Sequence, residues 1–218
     1  MTEKKRQKKK IDSPKLPTKL GDATWELIDL EPEAMICDLK ISGGDLSSAY
    51  ENLYIRRCRV MNSSFKEAKF YKLDLEDVIF EGCDFSGTDL SGVSIQRCQF
   101  VDCRMTGTNF SDAVFMNLQI INSILSYGNL RFTTFKRALI SNSKADFCEF
   151  QSSKFQELEA ENVNFTGTQF SGTSLEGVDF RTCEVEGIGF RFEDIKGAMI
   201  SLEQSAVIVK MFGVKVED

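Results

Sequence analysis

From Tyr50 to Ile200 a bulky apolar residue returns at every fifth position, and this period constrains the chain more than any other feature. Phe65, Phe70, Leu75, Phe80 and Phe85 show the series near its start, Phe165, Phe170, Leu175 and Phe180 near its end, and only Ala145 and Ala160 break it. A second series of mostly small residues sits two places earlier, as in Cys58, Ser63, Ala68, Cys83, Thr88 and Val93. A period of five matches neither a helix nor a simple strand, and a fixed internal repeat marks a solenoid. On an extended segment, residues two apart point the same way. Each repeat is therefore a short side with two inward side chains, followed by a bend. Such coils stack at about 4.8 Å per coil, so that main-chain groups pair from one coil to the next. Gly87, Gly92, Gly107 and Gly167 fall just after the bulky position, where the bend demands a left-handed backbone.

The repeats themselves carry a resemblance. Cys83-Asp84-Phe85-Ser86-Gly87, Thr88-Asp89-Leu90-Ser91-Gly92, Thr108-Asn109-Phe110-Ser111-Asp112 and Val163-Asn164-Phe165-Thr166-Gly167 are similar to the motif of the pentapeptide repeat family. That resemblance covers residues 23–200 and implies an all-β, right-handed quadrilateral parallel β-helix with four repeats per coil. Residues twenty apart then stack. Three units are expected: a basic, disordered N-terminal arm over residues 1–20, the repeat solenoid over 21–200, and a C-terminal helix with a short tail over 201–218. The stretch from Phe80 to Gly92 and the ending from Gln204 through Phe212-Gly213-Val214 most resemble the Qnr and MfpA branch. The resemblance to that branch implies a dimeric rod that mimics DNA, binds DNA gyrase and topoisomerase IV, and protects them from quinolones. After Tyr50 the frame has no insertion longer than one residue, as in loopless members of the branch.

Composition argues against chemistry. There is no histidine, and six of the seven cysteines occupy the small inward position, where they act as small buried apolar groups. No ligand spacing for a metal is present, and a filled rod offers no cleft for catalysis. The reading is a non-enzyme without cofactor or metal. Free thiols suit a reducing compartment, and no apolar run is long enough to span a bilayer, so a cytoplasmic location without membrane contact is expected.

The ends and outer positions hold the candidate contacts. The first twenty residues contain eight Lys or Arg and two acids; the chain's net charge of −6 therefore leaves −12 on the remainder. The arm is the only expected route to direct DNA binding. Acid gathers toward the C-terminal end of the repeats, in Glu157, Glu159, Glu161, Glu176, Asp179, Glu184 and Glu186, a field suited to a basic DNA-binding surface. Trp25 is expected to close the N-terminal end, and Glu193 at a small position marks a last coil that opens. Ser201 and Gln204 form a capping-box pattern that predicts a helix from Leu202 to about Phe212. Leu202, Ile208, Val209, Met211 and Phe212 cover more of it than one face, which predicts an isologous homodimer through this end. Outward Val101, Ile121, Tyr127 and Phe147 form an apolar surface patch; that patch or the basic arm carries an alternative reading, a non-catalytic interaction scaffold for another partner. Ser143 with Ala145 leaves inward volume unfilled, and a cavity, a bulge or intrusion of Phe147 is expected there.

Overall fold

The computed structural model describes residues 10–216. They form an all-β parallel solenoid of about seven turns that ends in one short helix. Each coil has four sides, each centred on one bulky position. Side 1 carries Phe65, Phe85 and Phe165; side 2 carries Phe70, Phe110 and Phe170; side 3 carries Leu75, Phe115 and Phe135; side 4 carries Phe80, Phe100 and Phe180; all are buried. Residues twenty apart pair in parallel. Ile95 lies on Phe115 and Phe100 on Ile120; the next coil pairs Phe115 with Phe135, and the one after pairs Phe135 with Phe155. Sides 3 and 4 form eight-residue strands, Ser94–Val101, Val114–Ile121, Thr134–Ser141 and Lys154–Glu161, which run through the corner between them. Sides 1 and 2 pair through shorter bridges such as Asp84 to Arg104 and Asp89 to Asn109. Their corners are closed by turn bonds, as from Thr88 N–H to Phe85 O.

The two inward positions divide the work. The bulky series stacks, with Phe65 over Phe85 at 4.6 Å and Phe80 over Phe100 at 5.0 Å between ring centroids. The small series satisfies its own buried polar atoms, which would otherwise be costly to bury. Thr88 Oγ1 donates to Phe65 O, Thr108 Oγ1 to Phe85 O and Ser153 Oγ to Leu130 O, each at 2.7 Å. Cysteines at the same position do likewise, more weakly: Cys148 Sγ lies 3.1 Å from Leu125 O. Corners adopt positive φ whether or not glycine is present. Gly87 has φ +67°, but Asn62, Arg97, Tyr127 and Phe147 have values from +50° to +62°. That conformation costs an L-residue about 1–2 kcal/mol. At most corners the strained residue still donates to the next coil, as from Phe147 N–H to Thr166 O at 2.9 Å.

The Ser143–Ala145 repeat neither bulges nor takes in Phe147. Ile124, Lys144 and Asn164 keep the twenty-residue register, and the Phe147 ring stays outside, stacked on Tyr127. The coil-to-coil hydrogen bonds fix the backbone there whatever the inward volume.

At the N-terminal end the register runs at nineteen, with Ile36 on Ile55 and Ile41 on Val60. Trp25 is buried over that end: Nε1 donates to Ser63 Oγ at 3.0 Å and the ring meets Phe65 edge-on at 5.6 Å. Gly44 has no room for a Cβ, which would fall 2.8 Å from the indole.

The expected disordered arm is corrected over residues 10–20; residues 1–9 lie outside the described residues. Ile11, Pro14, Leu16, Pro17 and Leu20 are half-buried, and the segment is tied to the rod by main-chain donors. Counting charges hid this apolar content, and the two prolines restrict the segment toward an extended form.

At the other end the last coil does open by one position. Glu193 is exposed and Asp194 is buried in its place, gripped by Arg191 at 2.9 and 3.0 Å. Helix α1, Leu202–Met211, follows with a complete capping box. The side chain of Gln204 does more than cap. Its Nε2 donates to Phe180 O and Cys183 O, both at 2.7 Å, so it covers carbonyls that the last coil leaves open.

Candidate interaction surfaces

Three of the buried thiols are held in the protonated form, whereas the hydrogen bond with Cys103 lowers Cys83. Burial pushes the Cys98 and Cys148 thiols up to about 12 and Cys58 to about 11, away from the thiolate a nucleophile or ligand needs. Among the described residues, no group of three or more His, Cys, Asp and Glu is placed to hold a metal ion, and no helix is long and apolar enough to cross a membrane.

Only part of the acidic set converges. Strand Lys154–Glu161 carries Glu157 at the corner between sides 3 and 4, then Glu159 and Glu161 along side 4. With Asp179 and Thr182 of the next coil, Glu159 and Glu161 line a shallow concavity of about 270 Å3. Asp179 is held by Arg181 through contacts of 2.9 and 2.7 Å, so its charge is partly screened. Glu184 and Glu186 follow on the adjoining side 1, where Glu184 bridges to Asn164, and Glu176 belongs to side 3. The set wraps three sides of the rod's end instead of forming one patch. Spacing along the chain showed the density of acid but not which coil side each residue meets.

The helix end divides differently from expectation. Ile208 is only 7 % exposed and packs into the cap, so it is withdrawn from the expected dimer surface. Gln204 and Ile208, one turn apart, are the two residues that the ten-residue helix buries. Leu202 (89 % exposed), Val209, Met211 and Phe212 remain outside, joined by Phe192, Met199, Val214 and Val216. Phe212 meets the rings of Phe190 and Phe192, which sequence spacing did not foretell.

The expected apolar patch is two separate features. Val101 and Ile121 do stack, on side 4, and are half-buried. Tyr127 and Phe147 also stack, at 5.3 Å and 10° between planes, but on the corner between sides 1 and 2. Side 1 separates the pairs. Exposed Phe132 stands on the next corner of the same coil.

One surface was not foreseen. The corner between sides 3 and 4 holds Arg57, Asp77, Arg97, Asn117, Arg137 and Glu157 in a column, each with positive φ. Arg97 grips Asp77 at 2.7 and 2.8 Å and reaches Glu76 at 2.6 Å. Burial opposes ionisation of Asp77, yet the Arg97 guanidinium and the Lys15 N–H hold its carboxyl below the ordinary range. Lys15 N–H donates to Asp77 Oδ1 at 2.9 Å, and Asp12 N–H to Asn117 Oδ1 at 3.2 Å. Asp77 and Asn117 are 5 % and 2 % exposed, although corners elsewhere are mostly open. The signal was present in the alternating charge at twenty-residue spacing, but nothing local linked it to residues 10–20.

A model of the pentapeptide repeat region matches residues 73–120, and a model of eight pentapeptide repeats matches residues 146–181. No curated protein matches the sequence. Among solved structures, a trypsin-treated form of QnrB1, described as a plasmid-mediated fluoroquinolone resistance protein, is similar at 20 % identity and TM-score 0.48, over 91 % of this chain and 97 % of that one. HetL of the cyanobacterium Nostoc sp. strain PCC 7120, described as involved in heterocyst differentiation regulation, is similar at 14 % identity and TM-score 0.45, over 77 % and 87 %. A pentapeptide repeat protein of the Arabidopsis thaliana thylakoid lumen is similar at 21 % identity and TM-score 0.34, over 44 % and 64 %. The two models match where the five-residue frame is unbroken and together cover less than half of the chain, so the repeat regions are similar to those of the pentapeptide repeat family.

Proposed function

We propose that this chain is a non-catalytic interaction rod that presents a DNA-like array of carboxylates to a basic, nucleic-acid-binding protein surface. The observation that carries this reading is the meeting of Glu159, Glu161 and Asp179 around one concavity, with Glu157 at its corner and Glu184 and Glu186 on the next side. Such a field attracts a surface evolved to hold phosphates and repels DNA itself. The type II topoisomerases DNA gyrase and topoisomerase IV are the partners the sequence resemblance implies, with protection from quinolones as the consequence. Two copies would join at α1 through Leu202, Val209, Met211 and Phe212, since so much exposed apolar area at one end suits a self-complementary contact. Seven free thiols favour the cytoplasm as the site of action.

Gyrase supercoiling with purified protein titrated in, with and without a fluoroquinolone, tests the reading. Inhibition or drug rescue is expected, weakening as salt screens the charges, and lost when Glu159, Glu161, Glu184 and Glu186 are changed to Gln and Asp179 to Asn. No effect in either arm from a folded, dimeric protein overturns the gyrase assignment.

A second reading has its own observation. Tyr127, Phe147 and Phe132 hold φ of +62°, +55° and +60° at corners where Gly87, Gly107, Gly167 and Gly92 stand in other coils. Large exposed rings kept in a strained backbone suit a contact with a protein partner. Loss of partner capture in Tyr127→Ala, with the acid changes silent, would favour this scaffold reading.

A further inference from the structure

Residues 10–20 belong to neither a strand nor a helix, yet their burial has a period. Ile11, Pro14, Pro17 and Leu20 are half-buried, at every third position, and Leu16 is the one half-buried residue outside that series. The donors keep the same spacing: Asp12 N–H meets Asn117 Oδ1 at 3.2 Å and Lys15 N–H meets Asp77 Oδ1 at 2.9 Å. A period of three is that of polyproline II, which needs no internal hydrogen bond and which the fixed φ of Pro14 and Pro17 suits. Three of its residues advance about 9.3 Å and return to the same face. Two coils of the rod advance about 9.6 Å. One turn of such a segment therefore matches the two coils that separate Asp77 from Asn117.

The corner is built to receive these donors. Asp77 and Asn117 are both buried, and Arg97 of the coil between them grips Asp77 at 2.7 and 2.8 Å, which fixes the carboxylate that faces Lys15 N–H. The Lys15 charge further favours the ionised carboxyl. Proline brings no N–H, so the segment cannot extend the sheet as an added strand. A segment seated by side-chain acceptors and half-buried apolar groups opens at a lower free energy than the coils beneath it.

We propose that the corner at Asp77, Arg97 and Asn117 is a binding site for polyproline II segments, and that residues 11–17 are its resident, displaceable ligand. The external ligand is a segment of another protein with the order apolar-x-x-Pro-basic-apolar-Pro, as in Ile11 to Pro17. A preformed polyproline II segment loses little entropy on docking. A second copy of this chain already fills its own corner, so exchange between copies would trade equal contacts and add the cost of association. The site shares no residue with the carboxylate concavity and stands without that reading.

A fluorescent peptide of residues 10–20 is titrated into the native full-length chain and into a full-length variant with Ile11→Asp and Leu16→Asp. These changes unseat the segment and leave the corner untouched; faster tryptic cleavage after Lys15 verifies it. The variant is expected to bind at least about tenfold more tightly than the native chain, whose own segment competes at roughly millimolar effective concentration. The peptide N-methylated at Asp12 and Lys15 is expected not to bind. Binding is also expected to vanish when Asn117→Gly is added to the variant, since glycine accepts the φ of +54° there and removes only the acceptor. No binding by the unseated variant, or binding unaffected by N-methylation, overturns the proposal. Amide exchange of the native chain gives a readout free of substitution. The Asp12 and Lys15 N–H groups are expected to exchange well before Phe85 N–H, which is bonded to Arg104 O in the coils; exchange together with Phe85 means a fixed brace and overturns displacement. A concentration-dependent dimer of the native chain that Asn117→Gly dissolves assigns the corner to a second copy and overturns the external ligand.

Discussion

The two ends of the rod are closed by different chemistry. At the N-terminal end one large indole is buried on the stack and gives its only donor to Ser63, while Leu27 and Met35 nearby stay exposed. At the C-terminal end the closing element is polar: Gln204 ties α1 to the carbonyls of Phe180 and Cys183, and Ile208 is the apolar residue that α1 buries. Leu202, Val209 and Met211 of that helix are exposed. A plug finishes a solenoid, whereas a helix held by one amide and one aliphatic side chain finishes it while offering a surface to another molecule. The charge follows the same division, since the converging carboxylates belong to the end with the open surface.

If that contrast is right, the N-terminal plug carries the larger stability effect. Trp25→Ala should cost about 3–5 kcal/mol, read as a lower urea midpoint; a loss no greater than that of Gln204→Ala would break the comparison. Gln204→Ala should cost about 1–3 kcal/mol, because two main-chain carbonyls and the Ser201 N–H lose their partner. Coils of a solenoid are coupled mainly to their neighbours, so faster amide exchange is expected from Phe180 to Ser201 and not around Phe65. The Arg191 guanidinium and the Gly172 N–H hold the Asp194 carboxyl near 2, against an ordinary value of 3.8. Its contribution is therefore complete above about pH 4 and is lost as pH falls toward 2. Native protein should lose more Tm over that window than Asp194→Asn does; parallel curves would remove Asp194 from the closure. The smallest effect on stability, within about 0.5 kcal/mol, is expected for Val209→Glu with Phe212→Glu. Sedimentation should show that pair shifting dimer to monomer; an unchanged mass would mean that the open surface serves something other than self-association.

Legibility differed along the same lines. Trp25 as a closing group, the capping box at Ser201 and the opening at Glu193 were all readable, because each is a residue out of keeping with a strict local frame. Ile208 was misplaced because periodicity counts the apolar faces of a helix without saying which one meets the coil beneath. Tyr127 and Phe147 were correctly paired by their twenty-residue spacing and wrongly joined to Val101 and Ile121. The seating of residues 10–20 on the rod was missed because eight cations in the first twenty residues outweighed five apolar ones in any estimate based on composition.

What the sequence determined by itself was the inside and outside of every repeat, and the residue on which each one stacks. Both follow from a five-residue period in which side chains alternate across an extended backbone, and no distant contact is needed to set them. Only the tertiary structure decided which outward residues share a side, and that Asp12 and Lys15 lie along one corner. Neighbourhood around a coil depends on how far each bend turns the backbone. The seating of residues 10–20 depends on main-chain donors meeting side chains 62 and 105 residues away, a separation at which no local pattern carries information.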